Sequence, residues 1–123
     1  TIVRTEAGGI NTCDIPFSRD IRAFAADYLR LTAEAAKSNE ELNLGDDYMV
    51  IGTSALTKCE LDSVVNLYAG FYNTPFVVWG KYRKGLWRTT LPISFQFHHT
   101  QMDGPISTGF LNRLQEVFNE IEF

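Results

Sequence analysis

Cysteine is scarce in this chain. Cys13 and Cys59 stand alone and far apart, which excludes a dense disulfide framework and the paired, close spacing of a zinc site. Two such thiols fit a reducing compartment, so the sequence points to the cytoplasm. Long apolar runs are missing as well. None approaches the roughly 18 residues of a membrane span, and the start lacks the basic-then-apolar order of a signal peptide, so no membrane partner is expected. A basic surplus is also absent: 11 Lys and Arg stand against 15 Asp and Glu, a formal net charge of -4. Nucleic-acid binding needs that surplus to neutralise phosphates, which leaves a small molecule or a protein as the expected partner. There is no internal repeat, low-complexity tract or interdomain linker. The first residue is Thr1 rather than Met, and the sequence reads as a truncated chain or one piece of a cleaved chain.

What is present is core material. Nine Phe, five Tyr and two Trp in 123 residues, with 45% hydrophobic and 21% charged residues, describe an ordinary globular chain of one domain. That length holds a real core but is short for an enzyme that must enclose both a cofactor and an acceptor.

The order of elements is mixed. Thr1 to Arg4 is β-prone, and Gly8-Gly9 followed by Asn11, Asp14 and Pro16 reads as an irregular loop. Ser18 as N-cap, with Asp20 in the first turn, opens a helix carrying Ile21, Phe24, Ala25, Tyr28 and Leu31 to about Lys37. The polar stretch Asn39 to Asp47 closes it and leads to a strand at Tyr48 to Ile51. Ala55 to Val65 suits a strand with an irregular break. Phe76 to Tyr82 is a β-branched and aromatic strand with Pro75 at its mouth, and Gly85 marks a hairpin turn. In the next strand Leu91, Ile93, Phe95, Phe97 and His99 fall on one face, and Ser94, Gln96 and His98 on the other. A final helix follows Gly104, with Phe110, Leu111, Leu114, Val117, Phe118 and Ile121 on its stripe and Ser107 or Asp103 as its cap. Helices at each end of a strand-rich middle predict an α/β two-layer sandwich around one mixed sheet.

His98-His99-Thr100-Gln101-Met102-Asp103-Gly104 carries the chemistry. A general base works best with a pKa near the operating pH, and histidine starts at about 6.5. At the end of an apolar strand face His99 is expected to lie away from bulk water as a neutral ring able to take a proton from a hydroxyl or thiol. Gly104 is expected to permit a sharp reversal into the helix. Two other readings stay open on the residues alone: an ordinary half-buried histidine pair with Asp103 as a helix cap, and a metal site. The second is weakened because the two histidines point to opposite faces and no third ligand is near.

The motif and its surroundings resemble the type A chloramphenicol acetyltransferase family, whose pattern is His-His-x-x-x-Asp-Gly between a Pro-containing strand and a helix with Asn-x-Leu-Gln. Here Leu91-Pro92 through Gln96 precedes the histidines, and Leu111-Asn112-Arg113-Leu114-Gln115 follows. Upstream, Pro75 to Trp79 with Gly80-Lys81-Tyr82 is similar to the family's Pro-x-x-x-x-Gly-Lys-Tyr stretch. Dihydrolipoyl acyltransferases carry a close variant of the seven-residue motif, and the flanking segments favour the chloramphenicol type. The resemblance runs from about Phe17 to Glu120 and covers the C-terminal part of a family subunit.

That resemblance implies a coenzyme A-dependent acyltransferase fold, acetyl-CoA as donor, a small hydroxyl acceptor such as chloramphenicol, and hence antibiotic resistance. It implies His99 as the general base, Asp103 as a structural residue paired with an arginine from the N-terminal part, and His98 as a packing and hydrogen-bonding residue. Gly104 completes the structural set. Thr57 falls at the position of the family's oxyanion-binding serine, in the poorly matching segment Ala55 to Glu60. No metal is implied. Family members are trimers with each site at a subunit interface, so the resemblance predicts a homo-oligomer. Pro105 and Ile106 replace the family's aromatic residue and histidine, and Gln101-Met102 replaces Val-Cys. These departures leave the acceptor open. A catalytically idle binding or assembly module with the same fold is the competing expectation.

Overall fold

The computed structural model describes residues 1–38, 40–45, 48–65 and 74–121; Asn39 and Asp47, which bound the expected polar stretch, lie outside them. Among the described residues nine elements follow one another: β1 (Ile2–Arg4), β2 (Ile10–Thr12), α1 (Ile21–Lys37), β3 (Gly52–Leu56), β4 (Phe76–Gly80), β5 (Arg83–Lys84), β6 (Thr89–Thr90), β7 (Ile93–Gln96) and α2 (Gly104–Glu120). The expected mixed α/β content and mixed sheet are present. The mixed sheet has the order β3-β4-β7, with β3 parallel and β7 antiparallel to β4. β1-β2 and β5-β6 are separate two-stranded pairs.

The segment after Gly8 is a strand rather than irregular loop. Gly8 takes φ 88°, a region open to glycine, and the Gly8 and Thr5 amides close the turn onto the Thr5 and Gly9 carbonyls at 3.0 Å each. β2 then pairs antiparallel with β1 from Ile2↔Thr12 to Arg4↔Ile10. Against this hairpin packs α1. Cys13, Leu31 and Ala35 form a buried cluster flanked by Val3, Ile15 and Leu42, and burial pushes the Cys13 thiol pKa up. The α1 cap is Asp20, not Ser18: its carboxylate accepts from the Arg22 and Ala23 amides, while the Ser18 hydroxyl accepts from the Asp20 amide. At the far end the Asn11 amide donates to the Ser38 carbonyl at 2.9 Å and the Ala35 carbonyl at 3.2 Å, covering acceptors the helix leaves unpaired.

No strand forms at Tyr48 to Ile51, and of the strand expected from Ala55 to Val65 only Ala55 and Leu56 are paired, as the end of β3, which begins at Gly52. Tyr48, Met49, Val50 and Ile51 are all exposed; pairing starts only where Gly52 meets Phe76, at a residue whose missing Cβ leaves room for the Phe76 ring. The reverse hairpin at Gly85 is as expected, closed by the Gly85 amide on the Arg88 carbonyl at 2.8 Å. α2 lies against the sheet through Phe110, whose ring sits 4.6 Å from that of Phe95. Ser107 is buried, and Phe110, Leu114, Val117 and Ile121 are half-buried along the same stripe, while Leu111 and Phe118 are exposed. Among the described residues no helix is long and apolar enough to cross a membrane.

Candidate active site

The histidines lie just beyond β7, not on it. The β7 ladder stops at Gln96, opposite Phe76; Pro75, the next residue back along β4, turns its carbonyl to the Gly52 amide of β3 rather than to β7. Phe97 continues the alternation, its ring 5.6 Å from that of Phe95, and the chain then turns. The Gln101 and Met102 amides donate to the His98 carbonyl at 2.9 and 3.3 Å. Both histidines are exposed. His99 is thus not carried on an apolar strand face or shielded by burial, and strand alternation does not separate the two rings. Their orientation comes from the turn.

His99 is nonetheless held. Its Nδ1 lies 3.1 Å from the Met102 carbonyl oxygen. A carbonyl only accepts, so Nδ1 carries the proton and Nε2 keeps a lone pair. That is the form needed to take a proton from a hydroxyl. His98 makes a different contact: its Nδ1 is 2.6 Å from the Thr100 hydroxyl and 3.3 Å from the Thr100 amide.

Asp103 is the N-cap of α2, in extended conformation at φ -98° and ψ 176°, and accepts from the Ile106 amide at 3.0 Å. Of the two caps expected, Asp103 is therefore the one used. Ser107 instead sits in the first turn, donating its hydroxyl to the Gly104 carbonyl at 2.9 Å. Gly104 is the first helical residue, without positive φ, and a Cβ there would meet nothing within 4 Å. The reversal is made by the turn from His98 to Gln101, so Gly104's conformational freedom is not what makes it. Pro105 follows in the first turn, where its missing N–H is harmless.

Thr57 is exposed, in the turn that follows β3. In the sheet register Gly52, Phe76 and Gln96 stand level at one end, and Leu56 stands opposite Gly80 at the other. Thr57 and His99 therefore lie beyond opposite ends of strands about 13 Å long, four steps of about 3.3 Å. Within one chain they are not brought together. Ser54, a hydroxyl the sequence did not single out, is half-buried inside β3 and stands in one row with Val78 and Ser94. Its face is opposite to that of Phe95, which meets α2. Only the β3 boundaries reveal this, since alternation means little until the strand is placed.

Two further features frame the site. Lys81, Arg83, Lys84 and Arg88, four of the eleven Lys and Arg, are exposed around the β5-β6 hairpin, with Leu86 and Trp87 at its tip. Arg83 also pairs with Asp62 at 3.1 Å. Among the described residues no cluster of three or more His, Cys, Asp or Glu could hold a metal.

An α/β chain that ends a mixed sheet in a capped helix, and presents an oriented imidazole lone pair at the join, has the equipment for proton abstraction from a hydroxyl or thiol. No family model matches the chain. It is 33% identical over 125 residues to chloramphenicol acetyltransferase 3 of Escherichia coli, an alignment covering 97% of this chain and 57% of that protein. The resemblance to the chloramphenicol acetyltransferase family read from the histidine motif is thus borne out along nearly the whole chain. The chain spans little more than half of that relative's length, consistent with a C-terminal part.

Proposed function

We propose that this chain carries the base of a chloramphenicol acetyltransferase-like O-acetyltransferase, moving an acetyl group from acetyl-CoA to a hydroxyl of chloramphenicol or a related acceptor. The observation that supports this most directly is the His99 ring, oriented by the Met102 carbonyl so that Nε2 is free to accept a proton. Nε2 takes the acceptor's hydroxyl proton as its oxygen attacks the thioester carbonyl. The tetrahedral intermediate then collapses, and the proton passes to the departing thiolate to give free coenzyme A. The exposed cations at Lys81, Arg83, Lys84 and Arg88 suit the phosphates of coenzyme A. No metal takes part in this reading, which places the protein in the cytoplasm.

A hydroxyl donor to the oxyanion can contribute about 3 kcal/mol in the transition state. Thr57 is the residue at the family's position, and because it stands at the other end of the sheet it serves the His99 of a second copy. This matches the homo-oligomer, a trimer, that the family resemblance implies. Asp103 fixes the backbone between the base and α2.

The test is transfer from acetyl-CoA to chloramphenicol by the intact protein, followed by thiol release. His99→Ala is expected to remove nearly all turnover; unchanged turnover in that variant would sink the mechanism. Thr57→Val and Ser54→Ala, compared side by side, show which hydroxyl supplies the donor, by a loss of about a hundredfold in kcat. The second reading, a catalytically idle module that keeps the fold, is favoured by the open exposure of both histidines and of Thr57. Binding of acetyl-CoA with no transfer to any hydroxyl acceptor would select it.

A further inference from the structure

His98 and His99 are adjacent and both exposed, yet their hydrogen bonds put the ring proton on different nitrogens. His99 Nδ1 must donate, because its partner is the Met102 carbonyl. His98 Nδ1 must accept, because the Thr100 amide 3.3 Å away can only donate. The Thr100 hydroxyl, 2.6 Å from the same nitrogen, adds a second and shorter donor. With its Nδ1 lone pair engaged, the neutral His98 ring carries its proton on Nε2.

We propose that Thr100 is a positioning residue that holds His98 as an Nε2–H donor, so that the turn offers a substrate one proton acceptor, His99 Nε2, and one hydrogen-bond donor, His98 Nε2–H. The donor binds an oxygen of the acyl acceptor while His99 deprotonates its reacting hydroxyl. Only this last clause rests on the acyltransferase reading. The proton assignment stands on the hydrogen bonds alone.

The division explains how two identical side chains in sequence avoid competing as bases. The contact spans two residues, through both the amide and the side chain of Thr100, so it survives any rearrangement that keeps the turn. A residue without a side-chain hydroxyl at position 100 leaves only the longer amide contact, and the His98 ring is then free to exchange its proton between nitrogens.

Long-range proton–nitrogen correlation NMR on the intact protein, with ¹⁵N-labelled histidine, reads the protonated nitrogen of each ring directly. The expected spectrum shows opposite tautomers, with the unprotonated nitrogen at Nδ1 in His98 and at Nε2 in His99. In Thr100→Val the His98 pattern is expected to become a tautomer mixture with His99 unchanged, and in Thr100→Ser it is expected to return. Like tautomers in both rings of the parent protein would overturn the assignment whether or not the protein transfers acyl groups, and a His98 pattern indifferent to Thr100→Val would overturn the positioning role of the Thr100 side chain. The substrate-facing clause is tested by kinetics: Thr100→Val is expected to raise the acceptor KM roughly tenfold, the effect of one hydrogen bond, with kcat retained. A tautomer mixture with an unchanged acceptor KM would refute that clause and leave the proton assignment standing.

Discussion

Cys13 has no exposed surface and packs with Leu31 and Ala35 beneath α1. Burial holds its thiol above the ordinary value of 9.0. The folded chain therefore keeps this proton at a pH where the unfolded chain has lost it. The resulting stability is complete below about pH 9 and disappears as pH rises through the folded value. Urea midpoints for the parent and for Cys13→Ala, taken at about pH 8 and about pH 10, check this. The variant is expected to be weaker at both pH values because it leaves a gap, but to lose less on going alkaline; equal alkaline losses would disprove the claim. Cys13 and the histidines also show what single residues disclose in a sequence. The motif is legible because its chemistry lies within seven consecutive residues. The exposure of His99 is not, because it depends on where the β7 ladder stops, and that is set by pairing with β4, a strand distant in the sequence.

At the scale of elements, Asp103 joins two roles that different substitutions separate. As the cap of α2 it satisfies the Ile106 amide, and its replacement by alanine is expected to cost about 1 kcal/mol of folding stability. Asparagine caps a helix nearly as well but carries no charge. Asp103→Asn is therefore expected to keep the thermal midpoint of the parent while losing acetyl transfer, if the carboxylate is needed for an ion pair as the family resemblance implies. Full activity in Asp103→Asn would reduce the residue to a cap. Element identity was largely readable: α1, α2, β4 and the Gly85 hairpin follow from periodicity and turn residues. The start of β3 is hidden because apolar residues from Tyr48 to Ile51 mimic a strand, whereas pairing starts at Gly52, where the Phe76 ring needs a neighbour without a side chain. β2 is not legible because three residues after a glycine turn carry too little pattern to be seen without their partner strand.

The whole molecule exposes much of its apolar material. Phe17, Met49, Val65, Leu86 and Trp87 are each more than four-fifths exposed, while among the described residues only Cys13, Leu31, Ala35 and Val78 are buried hydrophobics. So open a surface, on a chain that matches 57% of its relative, is what the proposed homo-oligomer would have to cover. If each site draws His99 from one copy and Thr57 from another, two inactive variants should repair each other. Co-expressed His99→Ala and Thr57→Val are expected to form mixed assemblies with transfer activity well above either alone, and activity no greater than the sum of the separate variants would rule out a shared site. The family resemblance implies a site at a subunit interface, but nothing in the sequence itself marks Thr57 and His99 as lying at opposite ends of one sheet.

The parallel pairing of β3 with β4, and the antiparallel return of β7, give each copy a hydroxyl pole and a histidine pole. Units with two unlike poles join head to tail. A row of them always leaves one base without a donor and one donor without a base, at its two ends, whatever its length. A closed ring leaves none. If the site is shared as proposed, catalytic completeness is a property of closure, and loss of one protomer from a ring breaks two shared sites.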